Sequence, residues 1–155
     1  MSPQNYVLGF LFNENMARVL LICKAKPTWM AGKWNGIGGH VEPGEDIHTA
    51  MEREADEEAG ITPGSINWHL FGEMSFRRTG ARVFLFSAHD SGTNPGCDGI
   101  LIAPTPAQET EPIEFVDYNE RFNLGRMMSN LRWLIPMALA NEFALHDGPC
   151  KIEFP

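Results

Sequence analysis

Three glutamates, Glu54, Glu57 and Glu58, lie three and four residues apart. Projected as a helix at about 100° per residue, Glu54 and Glu58 share one stripe and Glu57 lies beside it. Glu52 and Asp56 project the other way, into water. The earlier turns of the stripe are apolar, with Ile47, Ala50 and Met51. The stripe that begins as hydrophobic core therefore ends as carboxylate.

Carboxylates in this arrangement are unfavourable without a cation nearby. They repel one another, they lie near the negative end of the helix dipole, and an inward orientation removes their solvation. A solvated acidic face or an arginine-paired cluster is the alternative interpretation. Because the stripe faces inward, we expect these oxygens to hold a hard divalent cation, Mg²⁺ or alternatively Mn²⁺.

Turn residues and glycines bound this helix. Pro43-Gly44 precedes it, and Gly60 is predicted to end it as a left-handed cap. Four glycines fall within residues 32–39. Glycine lets the backbone approach a ligand or metal closely, so this segment is expected to belong to the same site.

From Gly39 to Ile61 the sequence resembles the Nudix box position for position, through Gly39, Glu45 and the run READEEAGI that begins at Arg53. The small residue Ala55 in an apolar slot is a mild variation. The resemblance implies a MutT-like Nudix hydrolase that uses magnesium to cleave a pyrophosphate bond in a nucleotide. It also implies an α/β (α+β) fold, a mixed curved β-sheet sandwiched between α-helices, as a single domain over residues 1–155.

The resemblance also assigns roles to individual residues. The implied metal ligands are the Gly38 carbonyl and the side chains of Glu54, Glu57 and Glu58. The implied catalytic residues are Arg53, Glu54, Glu57 and Glu111. Arg53 would orient a box carboxylate, Glu45 would support the helix start, and Glu54 is the expected general base, with Glu111 next. Glu111 is preferred to Glu109 as the further carboxylate outside the box, and surface charge is the alternative for both.

Residues before the box indicate substrate contacts. Trp34-Asn35-Gly-x-Gly-Gly resembles the run in Nudix enzymes acting on oxidised purine nucleoside triphosphates, where the asparagine touches the base edge. Asn35 is therefore expected to bind the base, or else to bond its own backbone in a turn. Gly39 would lie against the ligand. Lys24 would contact the outer phosphates or serve solubility, and His40 would meet a phosphate or be an ordinary sheet histidine.

A second stretch, around Pro136, is similar to the same enzymes. They carry paired aspartates and a stacking aromatic there, whereas this chain has Asn130, Leu131 and Met128 in those positions. The departure weakens any expectation of specificity for oxidised purines. Met128 and Trp133 would form an apolar slot for a base, or belong to the core.

Apolar runs, and a patchy apolar alternation within 65–78, predict the elements that position these residues. Strands are expected over 5–12, 18–24, within 65–78, over 81–88 with a central place in the sheet, and after Glu111, and residues 90–107 suggest a long loop. Asn130 is predicted to cap a helix packed through Leu131, Leu134, Ile135 and Ala138. The tail from His146 is expected to form an edge strand or interface.

Composition limits the partners. The chain has 155 residues, 43% of them hydrophobic, and a net charge of −8, which argues against a nucleic-acid scaffold. Three scattered cysteines and the lack of an export or membrane segment near the start predict a cytoplasmic protein without membrane contact. A small-molecule nucleotide is the expected partner, and the chain is expected to be a monomer or homodimer.

The predicted reaction is hydrolysis of a nucleoside triphosphate, including a modified or oxidised purine nucleotide, to nucleoside monophosphate and pyrophosphate. One alternative is a pyrophosphatase of nucleoside diphosphate conjugates such as ADP-ribose or nucleotide sugars. Another, of a different class, is a non-catalytic Nudix-fold module that senses nucleotides. The complete set of inward carboxylates favours an enzyme.

Overall fold

A computed structural model describes residues 3–90, 105–121, 126–143 and 148–155, without the side chains at 108, 109, 120 and 121. The strands are β1 (Asn5–Phe12), β2 (Arg18–Cys23), β3 (Trp34–Asn35), β4 (His69–Phe76), β5 (Arg82–His89), β6 (Ile113–Asp117) and β7 (Cys150–Phe154). The helices are α1 (Ile47–Ala59), α2 (Tyr118–Arg121) and α3 (Leu131–Glu142), and a 3₁₀ turn spans Pro106–Glu109. Most of the predicted long loop, 91–104, lies outside the described residues.

Within the described chain, a mixed seven-stranded sheet has the order β3-β2-β1-β5-β4-β7, with β6 also paired to β2. β1 runs parallel to β5 and β4 runs parallel to β7, while the other pairs are antiparallel. β3 pairs with β2. The glycine-rich segment that follows β3 pairs instead with β1, through the bridges Gly9–Ile37 and Tyr6–His40. The segment is thereby attached to an inner strand of the sheet.

Helices cover both faces of the sheet. Along β1, Val7 and Leu11 belong to the core beneath α1, whereas Leu8 and Phe10 belong to the core beneath α3. β5 lies between β1 and β4, in the central position predicted for it. Strands buried on both faces carry nearly continuous apolar residues, which is the pattern of β1, β2 and β5. The predicted sheet between helices is confirmed.

Local signals at both ends explain α1. The Asp46 carboxylate accepts hydrogen bonds from the backbone N–H groups of His48 at 2.9 Å and Thr49 at 3.4 Å. Gly60 ends the helix at φ 65°, in the left-handed conformation predicted for it. The Gly60 cap was predicted from the sequence, and the Asp46 cap was not.

Replacing Asp46 by Ala is expected to lower the free energy of unfolding by about 1 kcal/mol, because two N–H groups lose their acceptor. Asp46→Asn keeps an acceptor and should stay close to the wild type. Asp56→Ala, at an exposed site on the same helix, serves as the control. Urea unfolding measures all three. An Asp46→Ala protein as stable as Asp56→Ala would contradict the capping role.

The structure adds detail to two local expectations and contradicts a third. β4 begins at His69, within the predicted range 65–78, and the preceding Ile66 and Trp68 are buried core residues outside any strand. Glu52, expected in water, is half-buried and accepts a hydrogen bond from Gly64 N at 3.1 Å. Asn130 does precede α3, yet its side chain makes no capping bond because its own backbone is already helical, at φ −71° and ψ −18°.

The chain's last strand completes the sheet. β7 pairs with β4 in parallel register at the end of the strand order, which confirms the predicted edge strand. None of the described helices has the length and apolar character needed to cross a membrane.

Candidate functional site

Two glycines bring the glycine-rich segment against α1. A Cβ on Gly38 would lie 2.1 Å from the Val7 carbonyl oxygen, and a Cβ on Gly39 would lie 2.5 Å from Glu54 Oε1. Gly38 N donates to Glu58 Oε2 at 2.9 Å. Any larger residue would separate the strand from the helix, so these glycines set the distance between the backbone and the two carboxylates.

Arg53 links three parts of the site. Its guanidinium donates to both carboxylate oxygens of Glu45, at 2.9 and 3.0 Å. It also donates to Glu54 Oε1 at 2.9 Å and to the His40 carbonyl at 2.8 Å. The fork geometry of arginine suits such paired bonds. The structure thus places Arg53 where it can orient Glu54, and places Glu45 as the support for Arg53.

The Glu45–Arg53 pair predicts a pH effect on stability. The hydrogen bond from Arg53 holds the pKa of Glu45 below its usual range. A carboxyl group with a lowered folded pKa stabilises the fold above its unfolded pKa of about 4.3, and this contribution disappears as the pH falls through the folded value. The stability difference between wild type and Glu45→Gln, measured by urea unfolding, should therefore be constant near neutral pH and shrink under acid. A stability difference that does not change with pH would contradict the predicted contribution of the Glu45–Arg53 pair.

Lys24 occupies the other side of the carboxylates. Its Nζ lies 2.8 Å from Glu58 Oε1 and 3.1 Å from Glu111 Oε2. Glu111 is fixed by the backbone N–H of Ala25, which donates to Oε1 at 2.7 Å. Lys24 follows β2, Glu58 belongs to α1, and Glu111 precedes β6. The lysine therefore joins three elements that are distant in sequence.

Burial and pairing act in opposite directions on these groups. Burial raises the pKa of the Glu58 carboxyl group above its usual range, although Lys24 opposes the shift. Burial works to lower the pKa of Lys24, but its ion pairs with Glu58 and Glu111 outweigh burial and raise it. For Glu111, burial is outweighed by hydrogen bonds from Ala25 N and Lys24, so its pKa is lowered. Additional positive charge near Glu58 would oppose the effect of its burial.

The donor set fits a hard divalent cation. Glu54 and Glu58 are one helical turn apart, both contact the glycine-rich segment, and burial raises the pKa of each. Added positive charge would relieve that shift, and carboxylate and carbonyl oxygens are the ligands that Mg²⁺ prefers. Among the described residues, no three His, Cys, Asp or Glu side chains converge as metal ligands do. Instead, Lys24 and Arg53 supply positive charge beside the carboxylates.

Two predicted acidic residues differ from the rest. The Glu57 side chain is 59% exposed and lies 3.4 Å from Arg53, so the structure leaves it at the rim of the site. The side chain of Glu109 lies outside the described residues, whereas that of Glu111 reaches Lys24. Of the two carboxylates considered outside the box, the structure thus brings Glu111 into the cluster.

The predicted base-binding residues are partly brought together. Met128 N donates to the Trp34 carbonyl at 3.0 Å, which joins the stretch before α3 to β3. Within the described part of the chain, the side-chain oxygens of Asn35 and Asn130 are buried and have no hydrogen-bond donor. A buried acceptor without a donor is costly, so a water or a ligand that donates a hydrogen bond would stabilise each oxygen.

The structure does not bring Trp133 to this place. Its ring centroid lies 6.4 Å from that of Phe154 in β7, at the far end of the strand order from β3. Trp133 and Met128 both pack on the core beneath α3, which favours the core interpretation for Trp133. His40 is exposed, with its ring 4.5 Å from that of Tyr6.

Sequence reasoning missed the pairing of Lys24 with Glu58 and Glu111. These residues are separated by 34 and 87 positions, and no spacing rule connects them. The only signal was the choice of Lys24 as a phosphate contact and of Glu111 as an extra carboxylate, each made without the other.

Comparisons with known proteins support the resemblance. The chain is 38% identical over 100 residues to a mouse (Mus musculus) protein named oxidized purine nucleoside triphosphate hydrolase, covering 61% of this chain and 56% of that protein. It is 33% identical over 76 residues to the 8-oxo-dGTP diphosphatase of Escherichia coli (strain K12), covering 49% and 57%. The matched part therefore spans little more than half the length of each relative.

The fold is also shared with a solved structure. A NUDIX hydrolase from Nitrosomonas europaea superposes with a TM-score of 0.64 at 20% identity, covering 99% of this chain and 81% of that one. The NUDIX domain model matches residues 2–136. Because that match includes most of the 155 residues, the chain belongs to the NUDIX domain family.

Proposed function

We propose that this chain hydrolyses a nucleoside triphosphate to the monophosphate and pyrophosphate with the help of Mg²⁺ or Mn²⁺. The observation that carries the proposal is the cluster of Glu54, Glu58 and Lys24 around the backbone of Gly38 and Gly39. The names of the mouse and Escherichia coli relatives support a purine nucleoside triphosphate as the substrate class.

Each residue of the site has its own role in the proposed reaction. Glu54, Glu58 and the Gly38 carbonyl would hold the metal, with Glu57 reaching it from the rim. The bound metal would neutralise phosphate oxygens and lower the pKa of an attacking water. Arg53 donates a hydrogen bond to Glu54 Oε1. Glu54 would accept a proton from that water. Lys24 and His40 would contact phosphate groups of the substrate.

The side-chain oxygens of Asn35 and Asn130 suggest how the chain would recognise the base. Asn35 Oδ1 and Asn130 Oδ1 accept no hydrogen bond from any described residue, so a base edge that presents N–H groups would satisfy them. Purines with an amino group offer such an edge. Asn130 is a neutral amide in a position where the similar enzymes carry an aspartate, so we propose that the chain discriminates less strongly for oxidised bases than they do.

A substrate panel tests the reaction. Normal and oxidised nucleoside triphosphates, ADP-ribose and a nucleotide sugar are each incubated with the chain and Mg²⁺, and the products are identified by ³¹P NMR and chromatography. Monophosphate and pyrophosphate from a triphosphate support the proposal. Cleavage of conjugates alone would replace it with the conjugate pyrophosphatase. Nucleotide binding without any turnover would replace it with the sensing module.

Asn130→Asp tests the reading of the base. The new carboxylate should increase the ratio of kcat/KM for 8-oxo-dGTP over dGTP by about tenfold or more, because a charged acceptor strengthens a hydrogen bond to the oxidised edge. Asn15→Asp, in the exposed turn before β2, keeps its acceptor for Ala17 N; it is the control and should leave the ratio unchanged. Equal ratios in Asn130→Asp and wild type would contradict the assignment of Asn130 to the base.

A further inference from the structure

The Lys24 ammonium lies between two carboxylates that are themselves largely buried. The Lys24, Glu58 and Glu111 side chains are 15%, 10% and 15% exposed, and the two contacts measure 2.8 and 3.1 Å. Ion pairs with so little solvent around them are much less screened than surface pairs. Lys24 therefore acts on Glu58 as a fixed counter-charge.

We propose that Lys24 is a built-in competitor of the metal ion: a divalent cation must displace the Lys24 ammonium from Glu58 in order to bind, so Lys24 sets the affinity of the chain for metal. The inference rests on the proposed function only in taking Glu58 as a metal ligand. It concerns binding of the metal, and no step of hydrolysis enters it.

Geometry makes the displacement feasible. Glu58 Oε2 is committed to Gly38 N at 2.9 Å, and Oε1 is the oxygen that Lys24 contacts. A divalent cation at that oxygen would lie close to the Lys24 ammonium, and the two would repel strongly in a site with little water. The displaced ammonium keeps a partner, since Glu111 is held by the backbone of Ala25 and lies 3.1 Å from Nζ. Lys24 can therefore leave Glu58 without becoming an isolated buried charge.

Binding of Mn²⁺ without nucleotide, followed by electron paramagnetic resonance, is the first test. Lys24→Met keeps the length of the side chain and removes its charge, so we expect the dissociation constant for Mn²⁺ to fall by about tenfold or more. Lys24→Arg restores a paired cation and should return the constant toward the wild-type value. Equal Mn²⁺ affinity in Lys24→Met and wild type would overturn the inference.

Lys26→Met is the matched control for long-range charge. Lys26 is exposed two residues further along, and only its backbone N–H contacts Glu111. Its removal takes away the same unit charge without opening the Glu58 contact, so the dissociation constant should change by no more than about twofold under physiological salt. A gain as large as that of Lys24→Met would overturn the inference, because net charge alone would then explain both variants.

The wild-type protein gives a test that needs no variant. With ¹⁵N-labelled lysine, the paired ammonium of Lys24 should give a slowly exchanging ζ signal in the metal-free protein. Mg²⁺ should shift that signal or remove it by speeding its exchange. A ζ signal that stays unchanged at saturating Mg²⁺ would overturn the displacement.

These measurements separate the inference from the proposed function. Lys24-dependent Mn²⁺ affinity in a chain that cleaves no triphosphate would support the inference and contradict the proposed reaction. Triphosphate hydrolysis with Mn²⁺ affinity independent of Lys24 would support the proposed reaction and contradict the inference.

Discussion

Glu58→Gln is expected to lower hydrolysis by at least about 10²-fold, the cost typical of removing one preorganised electrostatic contact from a reaction centre. The amide is nearly isosteric and can still accept the hydrogen bond that Gly38 N donates at 2.9 Å. It loses the negative charge that would bind the metal. The fold should persist because Lys24 retains Glu111 as a partner.

Steady-state kinetics and thermal unfolding of the same preparation check this expectation. Asp56→Asn makes the same chemical change on the same helix at an exposed position, and it should leave both activity and stability unchanged. Wild-type turnover by Glu58→Gln would remove Glu58 from the metal site. Loss of the folded state in Glu58→Gln would instead show that its charge is needed for stability.

Gly38→Ala is expected to have the largest effect on stability. Its φ of +152° is unfavourable for a residue with a Cβ, and the added atom would lie 2.1 Å from the Val7 carbonyl oxygen. The strained backbone costs about 1–3 kcal/mol and overpacking adds a similar amount. Relief requires the glycine-rich segment to move away from β1, which would also break the bond from Gly38 N to Glu58.

Gly64→Ala separates the two contributions. Gly64 has a φ of +78°, but a Cβ there would meet nothing within 4 Å, so only the backbone penalty remains. Urea unfolding should therefore show that Gly38→Ala is less stable than Gly64→Ala, and the difference should equal the cost of the added contact with Val7. Equal losses in the two variants would mean that the contact with Val7 is relieved at no cost.

The sequence predicted most of the elements because their signals are local. The apolar stripe and the Pro43-Gly44 and Gly60 boundaries identified α1, and apolar runs identified β1, β2 and β5 as strands. Predictions failed where the backbone conformation differs from the one that the local pattern implies. Asn130 lies at a capping position but does not cap, and Trp68 alternates like a strand residue yet packs in the core from a loop.

For this protein, the sequence by itself determined the helix that carries the glutamates and the family resemblance of that stretch, since both follow from spacing within a few residues. The sheet between helices was implied by the resemblance. Only the tertiary structure decided that Glu58 is buried while Glu57 stays at the rim, and that Lys24 reaches both Glu58 and Glu111. Those contacts depend on the relative positions of β2, α1 and the chain before β6. Strand register and the packing of the helix on the sheet determine these positions, and both depend on the whole core.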